Sequence, residues 1–403
     1  MPKKPNPYDI SAIFEQMTLD LIGSMRRNLL RHKLEETKEG FRWEMWQRAK
    51  IRNIASYRRA NNKIIQKAFK DSEKLVDDVL KDSFKTGENR IHRAWNRFLN
   101  VILKPFGIER NVSNIKVPIP KSTTPVLEMA WDKLARPTQE SSFFGLNERK
   151  LEALQETVKN DLNSARGGVL RKMDDVYRQT IYKAEVNMSS GAKTLDQAID
   201  MATKEFLQKG INTIEYADGR RVNIASYAEM ALRTASQRAT FLGEGKKRDE
   251  LGVYTVLMSS HDNCSPMCLP FQGTVMIDDV YTSITEQQAL ELQQETGYVL
   301  LSYAMEQHAF HPSCRHSLST FFPGINTIPS PTNDEVALEN YEAEQWQRYL
   351  ERGIRMYKRL YEGSVDEVNR ARYKKKVNEW TERLKEHISE HDHLRRDRTR
   401  EVG

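Results

Sequence analysis

Apolar residues in the first part of the chain recur every three or four positions: Ile13, Phe14, Met17, Leu21 and Ile22, then Phe41, Trp43, Met45 and Trp46. That period predicts long helices over residues 10–84. Gly40 and the Asn61-Asn62 pair are expected interruptions, and Thr86-Gly87 an expected stop. A short helix over 91–103 should end before Lys104-Pro105, because a proline ring pushes the residue before it out of the helical region. Pro118, Pro120, Pro125 and Pro137 mark residues 106–142 as a linker. Helical periodicity returns over 146–209, starting at Asn147-Glu148, with a break expected at Gly167-Gly168 and a short last helix over 196–207 closed by Gly210.

The period then shortens. β-branched and aromatic residues over 211–216 and 221–224 flank Asp218-Gly219, a dipeptide suited to positive φ, and predict a hairpin. Ala228, Met230, Leu232, Ala235 and Ala239 predict a helix over 226–243. Strands are expected over 253–258 and 274–277, and a helix over 284–295. Beyond Phe321-Phe322-Pro323-Gly324 a proline-containing connector, 326–333, leads into a helical, charge-dense stretch over 334–390. Its mixed signs suit an exposed helix pair or a coiled-coil-like arm, and the last residues, 391–403, are expected to fray. The pattern thus predicts a mainly α protein with a small α+β module and extended helical N- and C-terminal arms. The regions are a basic helical 1–104, a linker 105–144, a helical 145–209, the module 210–325 and a charged helical arm 326–403.

Composition sharpens this picture. Only 38% of the 403 residues are hydrophobic and 30% are charged, which at this length argues for extended helices covered by partners rather than one compact ball. The arms present Trp43, Trp46, Trp346 and Tyr349, more aromatic surface than an isolated charged helix exposes comfortably, so they are expected to dock on neighbouring chains. No stretch reaches the ~18 apolar residues of a bilayer-spanning helix, and MPKKPNPYD has no apolar signal core behind its lysines; neither membrane insertion nor classical secretion is expected. The first hundred residues hold 22 Lys and Arg against 13 Asp and Glu, or +9 of a total of +7, leaving −2 for the rest. A basic amino-terminal segment can meet nucleic acid phosphates or an acidic protein surface, or be a solvated helix face.

The chemistry gathers in one region. All three cysteines, and four of the nine histidines, lie between positions 261 and 316. They form two knots, His261-Asp262-Asn263-Cys264-Ser265-Pro266-Met267-Cys268 and His311-Pro312-Ser313-Cys314-Arg315-His316. Zn2+ takes four tetrahedral nitrogen or sulfur ligands, usually as two short pairs joined by a longer loop. Pro266 keeps the cysteine pair out of an ordinary helix and favours a knuckle, while Cys314 and His316, two apart in extended chain, point to one side. A disulfide would orphan one cysteine and ignore the histidines. A zinc deaminase needs a glutamate beside its ligand histidine and a Pro-Cys-x-x-Cys pair, but His308 is followed by Ala309-Phe310 and the cysteines are three apart. A metal-dependent nuclease with His261, His308 or His311 as base stays open. Gly243-Glu244-Gly245-Lys246-Lys247 lacks the spacing and hydroxyl of a phosphate loop.

These residues resemble a known family. SSHDNCSPMCLPFQGTVM followed by HPSCRHSLSTFFPG resembles the phage minor capsid proteins of the "minor capsid protein 2" type, related to the Mu-like head morphogenesis proteins. There a His or Cys pair precedes a Gln-Gly or Asp-Gly turn, matched by Gln272-Gly273, and a His-Pro-x-Cys-Arg-His or -Cys motif follows, matched by His311, Pro312, Cys314, Arg315 and His316. YADGRRVNIASYAEMALRTASQRA also resembles the family, and the likeness covers about residues 210–324. This chain departs from it in its C-x3-C spacing and its Arg-His ending. Cys268, Cys314 and His316 are common to both patterns. Cys264 is the expected fourth zinc ligand, with His311 or His261 as substitute or brace. The resemblance implies a non-enzymatic, low-copy structural protein of a tailed-phage head, assembled in the host cytoplasm. It implies contact with the portal or major capsid protein, and a role in head morphogenesis or genome delivery. A zinc-dependent nucleic-acid-binding protein, or a nuclease or toxin-like effector carried in the head, is the alternative.

Overall fold

The computed structural model describes residues 4–30, 43–103, 144–189, 194–215, 221–323, 326–328 and 333–402. In chain order these form α1 (Asp9–Leu30), α2 (Trp43–Leu103), α3 (Phe144–Ser189), α4 (Leu195–Lys209), β1 (Asn212–Glu215), β2 (Arg221–Asn223), α5 (Ile224–Leu251), β3 (Thr255–Met258), β4 (Val275–Ile277), α6 (Glu286–Thr296), β5 (Val299–Leu300), α7 (Leu301–Glu306), β6 (Leu318–Thr320), α8 (Asp334–Gly363) and α9 (Glu367–Ser389). The protein is mainly helical, as the periodicity predicts. Gly40, the proline-rich linker, the Asp218-Gly219 turn and the side chains of Trp43 and Trp46 lie outside the described residues.

Several expected breaks are not breaks. Asn61-Asn62 and Thr86-Gly87 lie inside α2, a single helix of 61 residues that absorbs the separate element expected over 91–103. Gly87 serves a different purpose. A Cβ on it would lie 2.1 Å from the Thr240 carbonyl oxygen, and one on Gly243 would lie 2.1 Å from that of Phe84. The two glycines let the backbones of α2 and α5 touch, so they are chosen for close approach rather than for termination. For the same reason α5 does not end at Gly243. It runs from its cap at Asn223, whose side chain accepts the Ala225 N–H at 2.9 Å, to Gly252 at φ 66°. Gly167-Gly168 likewise leaves α3 unbroken over 46 residues. Burial of Leu162, Ala165, Val169 and Met173 outweighs a propensity cost of about 1 kcal/mol per glycine.

The helical arms are not arms. Ile10, Phe14, Met17, Leu21, Ile22 and Met25 of α1 are all buried, packed on α2, α5 and α8. The charged stretch over 334–390 turns at 364–366 into the hairpin of α8 and α9, which is fastened inward by polar contacts. Arg359 donates to the carbonyls of Leu207 at 3.1 Å and Gln208 at 3.0 Å, capping the C-terminal end of α4 where helix carbonyls lack partners. It also pairs with Glu15 of α1 at 3.5 Å. Asp200 of α4 accepts the Val365 N–H at 2.6 Å and the Asn369 amide at 2.9 Å. Nor do the last residues fray: Leu394 is buried, Arg398–Glu401 form a 3-10 turn, and Gln347 donates to the Arg395 carbonyl at 2.9 Å. Composition misled here because the apolar minority is concentrated on facing surfaces of the helices.

The chemistry-bearing region is built on a four-stranded sheet of order β5-β4-β3-β6, in which β3 runs antiparallel to β4 and β6, and β4 parallel to β5. One edge of the separate β1–β2 hairpin pairs Asn212 with Asn223 at the start of α5. The C-terminal half of α5 is tied to the end of β4 by an ion pair without solvent exposure: Arg248 Nε and Nη2 reach Asp278 Oδ2 at 3.0 and 2.7 Å. Glu244, one turn earlier, is also buried, and desolvation pushes its carboxyl up to about 7 against the pull of Arg248 and Arg90.

Two measurements test this account. Gly243→Ala should cost 1–3 kcal/mol or more, the order of an overpacked core, in urea unfolding. Gly167→Ala, whose Cβ meets only the Arg171 guanidinium at 3.3 Å, should be neutral or stabilising. Because Glu244 binds a proton in the folded state between its ordinary value of 4.5 and about 7, its contribution to stability falls as pH rises through that window, by about 3 kcal/mol in order of magnitude. Glu244→Gln should therefore gain on the wild type between pH 5 and 8; a pH-independent difference would show that the carboxylate is not held in this way.

Candidate metal centre

The first knot lies between β3 and β4. Its turn is drawn closed by the Cys268 and Leu269 N–H groups, both donating to the Ser265 carbonyl at 3.1 Å, and a 3-10 turn, Leu269–Phe271, follows. Gly273, at φ 73°, donates back to the Met258 carbonyl at 3.1 Å and leads into β4. This is the Gln-Gly turn read from the sequence. The second knot precedes β6, and it and the turn leading into it hold three non-glycine residues with positive φ: His308 at 69°, Phe310 at 54° and Ser313 at 69°. Such a backbone persists only where its surroundings hold it, and α5 does so. Ser313 N–H donates to Thr234 Oγ1 at 3.2 Å, Arg233 to the Ser313 carbonyl at 3.2 Å, and Gln237 to the His316 carbonyl at 2.6 Å.

The fold brings the two knots together. Cys268 Sγ and Cys314 Sγ stand 3.7 Å apart, close to the ~3.8 Å between two sulfurs that share a tetrahedral zinc at about 2.3 Å each. Cys268, Cys314 and His311 can each offer a donor atom with all three atoms within 4.8 Å. His316 Nδ1 faces Cys314 Sγ at 3.2 Å, and its Nε2 faces Cys264 Sγ at 3.6 Å and Gln272 Oε1 at 3.4 Å. The imidazole therefore lies between Cys314 and Cys264. His311 Nδ1 donates to the Pro312 carbonyl at 2.9 Å, which leaves Nε2 with its lone pair, 2.7 Å from the Ser265 hydroxyl. A hydrogen bond at one ring nitrogen that frees the other is the usual setting of a metal-ligating histidine. His261 stacks on His316 with ring centres 4.1 Å apart, bracing it from outside. His308 has no place in either group.

The donor set is soft and buried. Cys264 and Cys268 have no exposed surface, and His316 is nearly as covered. The hydrogen bond from Cys314 holds the Cys268 thiol far below its usual range, and the same shared proton pushes Cys314 up. Burial, then the neighbouring Cys268, pushes the Cys264 thiol up to about 12. Burial, then His316, lowers the His261 imidazole. Two thiols, one readily ionised, beside two imidazoles that each turn an unprotonated nitrogen toward them form the kind of set that takes Zn2+.

The knuckle is gripped from its other side by α8. Glu344 accepts from Asn263 at 2.6 Å and from Arg348 at 2.9 Å, pairs with Arg315, and is buried. Burial alone would raise this carboxyl, but Arg348 and Arg315 hold it below its usual range. Nothing local in the chain marks Glu344, Gln237 or Ser265, since each matters only through a neighbour distant in sequence.

The family model described as phage minor capsid protein 2 matches residues 108–389. The chain belongs to that family. It is also similar to a "Structural protein" of Lactococcus phage LL-H, with 23% identity over 98% of each chain. No solved structure matches it. This minor capsid protein is thus a phage structural protein of the virion, and the match extends well beyond the module through which the motifs announced it. Among its described residues no helix is long and apolar enough to cross a membrane.

Glu344→Ala removes one anchor shared by both knots. Hydrogen exchange of that variant should quicken over 260–273 and 311–317 while α2 and α3 stay protected, with a stability loss of about 1–2 kcal/mol from the lost charged hydrogen bonds, since both arginines can reach water. Unchanged exchange over the knots would show that α5 alone positions them.

Proposed function

We propose that this minor capsid protein holds one Zn2+ on Cys268, Cys314, His311 Nε2 and His316 Nδ1, and that the ion is structural. Cys268, Cys314 and His311, with donor atoms all within 4.8 Å, support three of these ligands, and His316 Nδ1, 3.2 Å from Cys314 Sγ, is the nearest imidazole to complete the set. Cys264, on the far side of His316, supports the ring through its Nε2. Four protein ligands close a tetrahedral site, which then has no position for a substrate or an attacking water; the reading is accordingly non-enzymatic. When bound, the ion cross-links the β3–β4 loop to the segment before β6. The residues around it supply rigidity: α5 holds the second knot by its backbone, and α8 holds both through Glu344.

Membership of the minor capsid protein 2 family supports a place in the head. We assign the docking surface to the outer face of α8, where Trp346 and Tyr349 stack at 4.9 Å and remain 47% and 42% exposed, an aromatic anchor of the kind that centres protein interfaces. The favoured partners are the portal protein and the inner face of the major capsid protein, with head morphogenesis or genome delivery as the process served. The positive excess of the first hundred residues favours an additional, sequence-independent contact with DNA phosphates that weakens steeply with salt.

Elemental analysis of freshly purified, chelator-free protein should find zinc that Cys268→Ser and Cys314→Ser each lose, with destabilisation of the module. Zinc retained in both variants would refute the ligand set. Trp346→Ala with Tyr349→Ala should deplete the protein from sedimented heads at unchanged zinc content. Normal incorporation would refute the docking surface, and DNA cleavage in the presence of divalent metal would favour the nuclease reading.

A further inference from the structure

A second group of metal-ligating side chains lies far along the chain from the knuckle, where α9 ends and the chain turns back along α8. His387, Glu390 and His391 can each offer one donor atom with all of these atoms within 4.8 Å. His387 is buried, His391 is half-buried, and their rings sit 4.4 Å apart; His393 follows with its ring 5.9 Å from that of His391. Three of the nine histidines thus fall within seven positions at one turn.

The hydrogen bonds of these rings decide what they can do. His387 Nε2 donates to the Ala343 carbonyl at 2.8 Å, His391 Nδ1 to the His387 carbonyl at 2.9 Å, and His393 Nε2 to the Asn340 carbonyl at 3.3 Å. A carbonyl can only accept, so each of those nitrogens carries the proton and the other nitrogen of each ring keeps its lone pair. Each ring is therefore fixed in a single tautomer and oriented by backbone, as ligating histidines are.

We infer that His387, Glu390 and His391, with His393 beside them, form a second site for a divalent first-row transition ion such as Zn2+ or Ni2+. Imidazole and carboxylate ligands favour such ions over Mg2+ and Ca2+, which take oxygen. The site has a mechanical consequence. Beyond it Leu394 is buried, and the chain returns along α8 through the bond from Gln347 to the Arg395 carbonyl to the 3-10 turn at Arg398–Glu401. Since His387 and His393 are both bonded to α8 carbonyls, a bound ion clamps the end of α9, the returning segment and α8 to one another. This inference is independent of the knuckle and of the proposed role in the head.

The test reads a difference, so the knuckle cannot confuse it. Full-length protein is saturated with Zn2+, freed of loose metal by gel filtration and analysed for zinc per chain, beside His391→Ala and Glu390→Gln, the latter an exposed position that leaves the fold intact. Wild type is expected to carry one more zinc than His391→Ala, whatever the knuckle holds, and Glu390→Gln is expected to bind the extra ion at least ten-fold more weakly. Zn2+ should also slow tryptic cleavage after Arg395, Arg396 and Arg398 in wild type and not in His391→Ala, whereas Mg2+ should do neither. Equal zinc content in wild type and both variants, or equal protection by Zn2+ in wild type and His391→Ala, would overturn the assignment.

Discussion

The contact on which the rest of this structure depends is the crossing of α2 and α5, where two helix backbones meet with no side chain between them. Gly87 and Gly243 are the residues that permit it. Gly245, two residues further on and so on the opposite face, allows the same closeness to the Tyr281 backbone, so α5 is fixed by backbone contact on two sides. Close-packed interiors transmit such constraints because they have little room to relax. With its axis fixed, α5 buries Ala228, Leu232, Ala235 and Ala239 in the bundle and presents Arg233, Thr234 and Gln237 to the second cysteine knot. The geometry of the candidate metal centre is thereby inherited from a helix crossing formed mainly by other parts of the chain.

A protein so rich in charge is compact because several charges point inward and are used as ties. Arg359 closes the end of α4 and reaches Glu15, Asp200 holds the turn between α8 and α9, Arg248 joins α5 to β4, and Glu344 joins α8 to both knots. Buried pairs of this kind add little net stability once desolvation is counted. Their value here is in register: each fits one arrangement of the elements it connects, and a misplaced helix would leave a buried charge without its partner.

The knuckle and the histidine turn share a construction. In each, one nitrogen of an imidazole is occupied by a hydrogen-bond acceptor, so that the other is available, and α8 contributes to holding the loop. The two differ in donor chemistry. Thiols, with Cys268 fully covered, mark the knuckle, while nitrogen and carboxylate ligands nearer the surface mark the turn.

The sequence by itself determined what depends on residues close together in the chain. Helical periodicity, the hairpin before α5, the strands flanking the first cysteine knot and the family likeness carried by Gln272-Gly273 and His311–His316 are all legible, because each is a local pattern. Glycine was where local reading failed. Gly87, Gly167 and Gly243 each suggest an ending, and only tertiary packing decides that Gly87 and Gly243 are contact points and Gly167 a tolerated weak position in a helix held by its buried face. The apparent arms were misjudged for a related reason: composition counts apolar residues but does not say whether they face one another, and those of α1, α8 and α9 do. Likewise, the sequence could name Cys268, Cys314, His311 and His316 as donors, but the order in which they gather, and the turning of each imidazole by a carbonyl or amide oxygen, is set by backbone that the fold alone brings near.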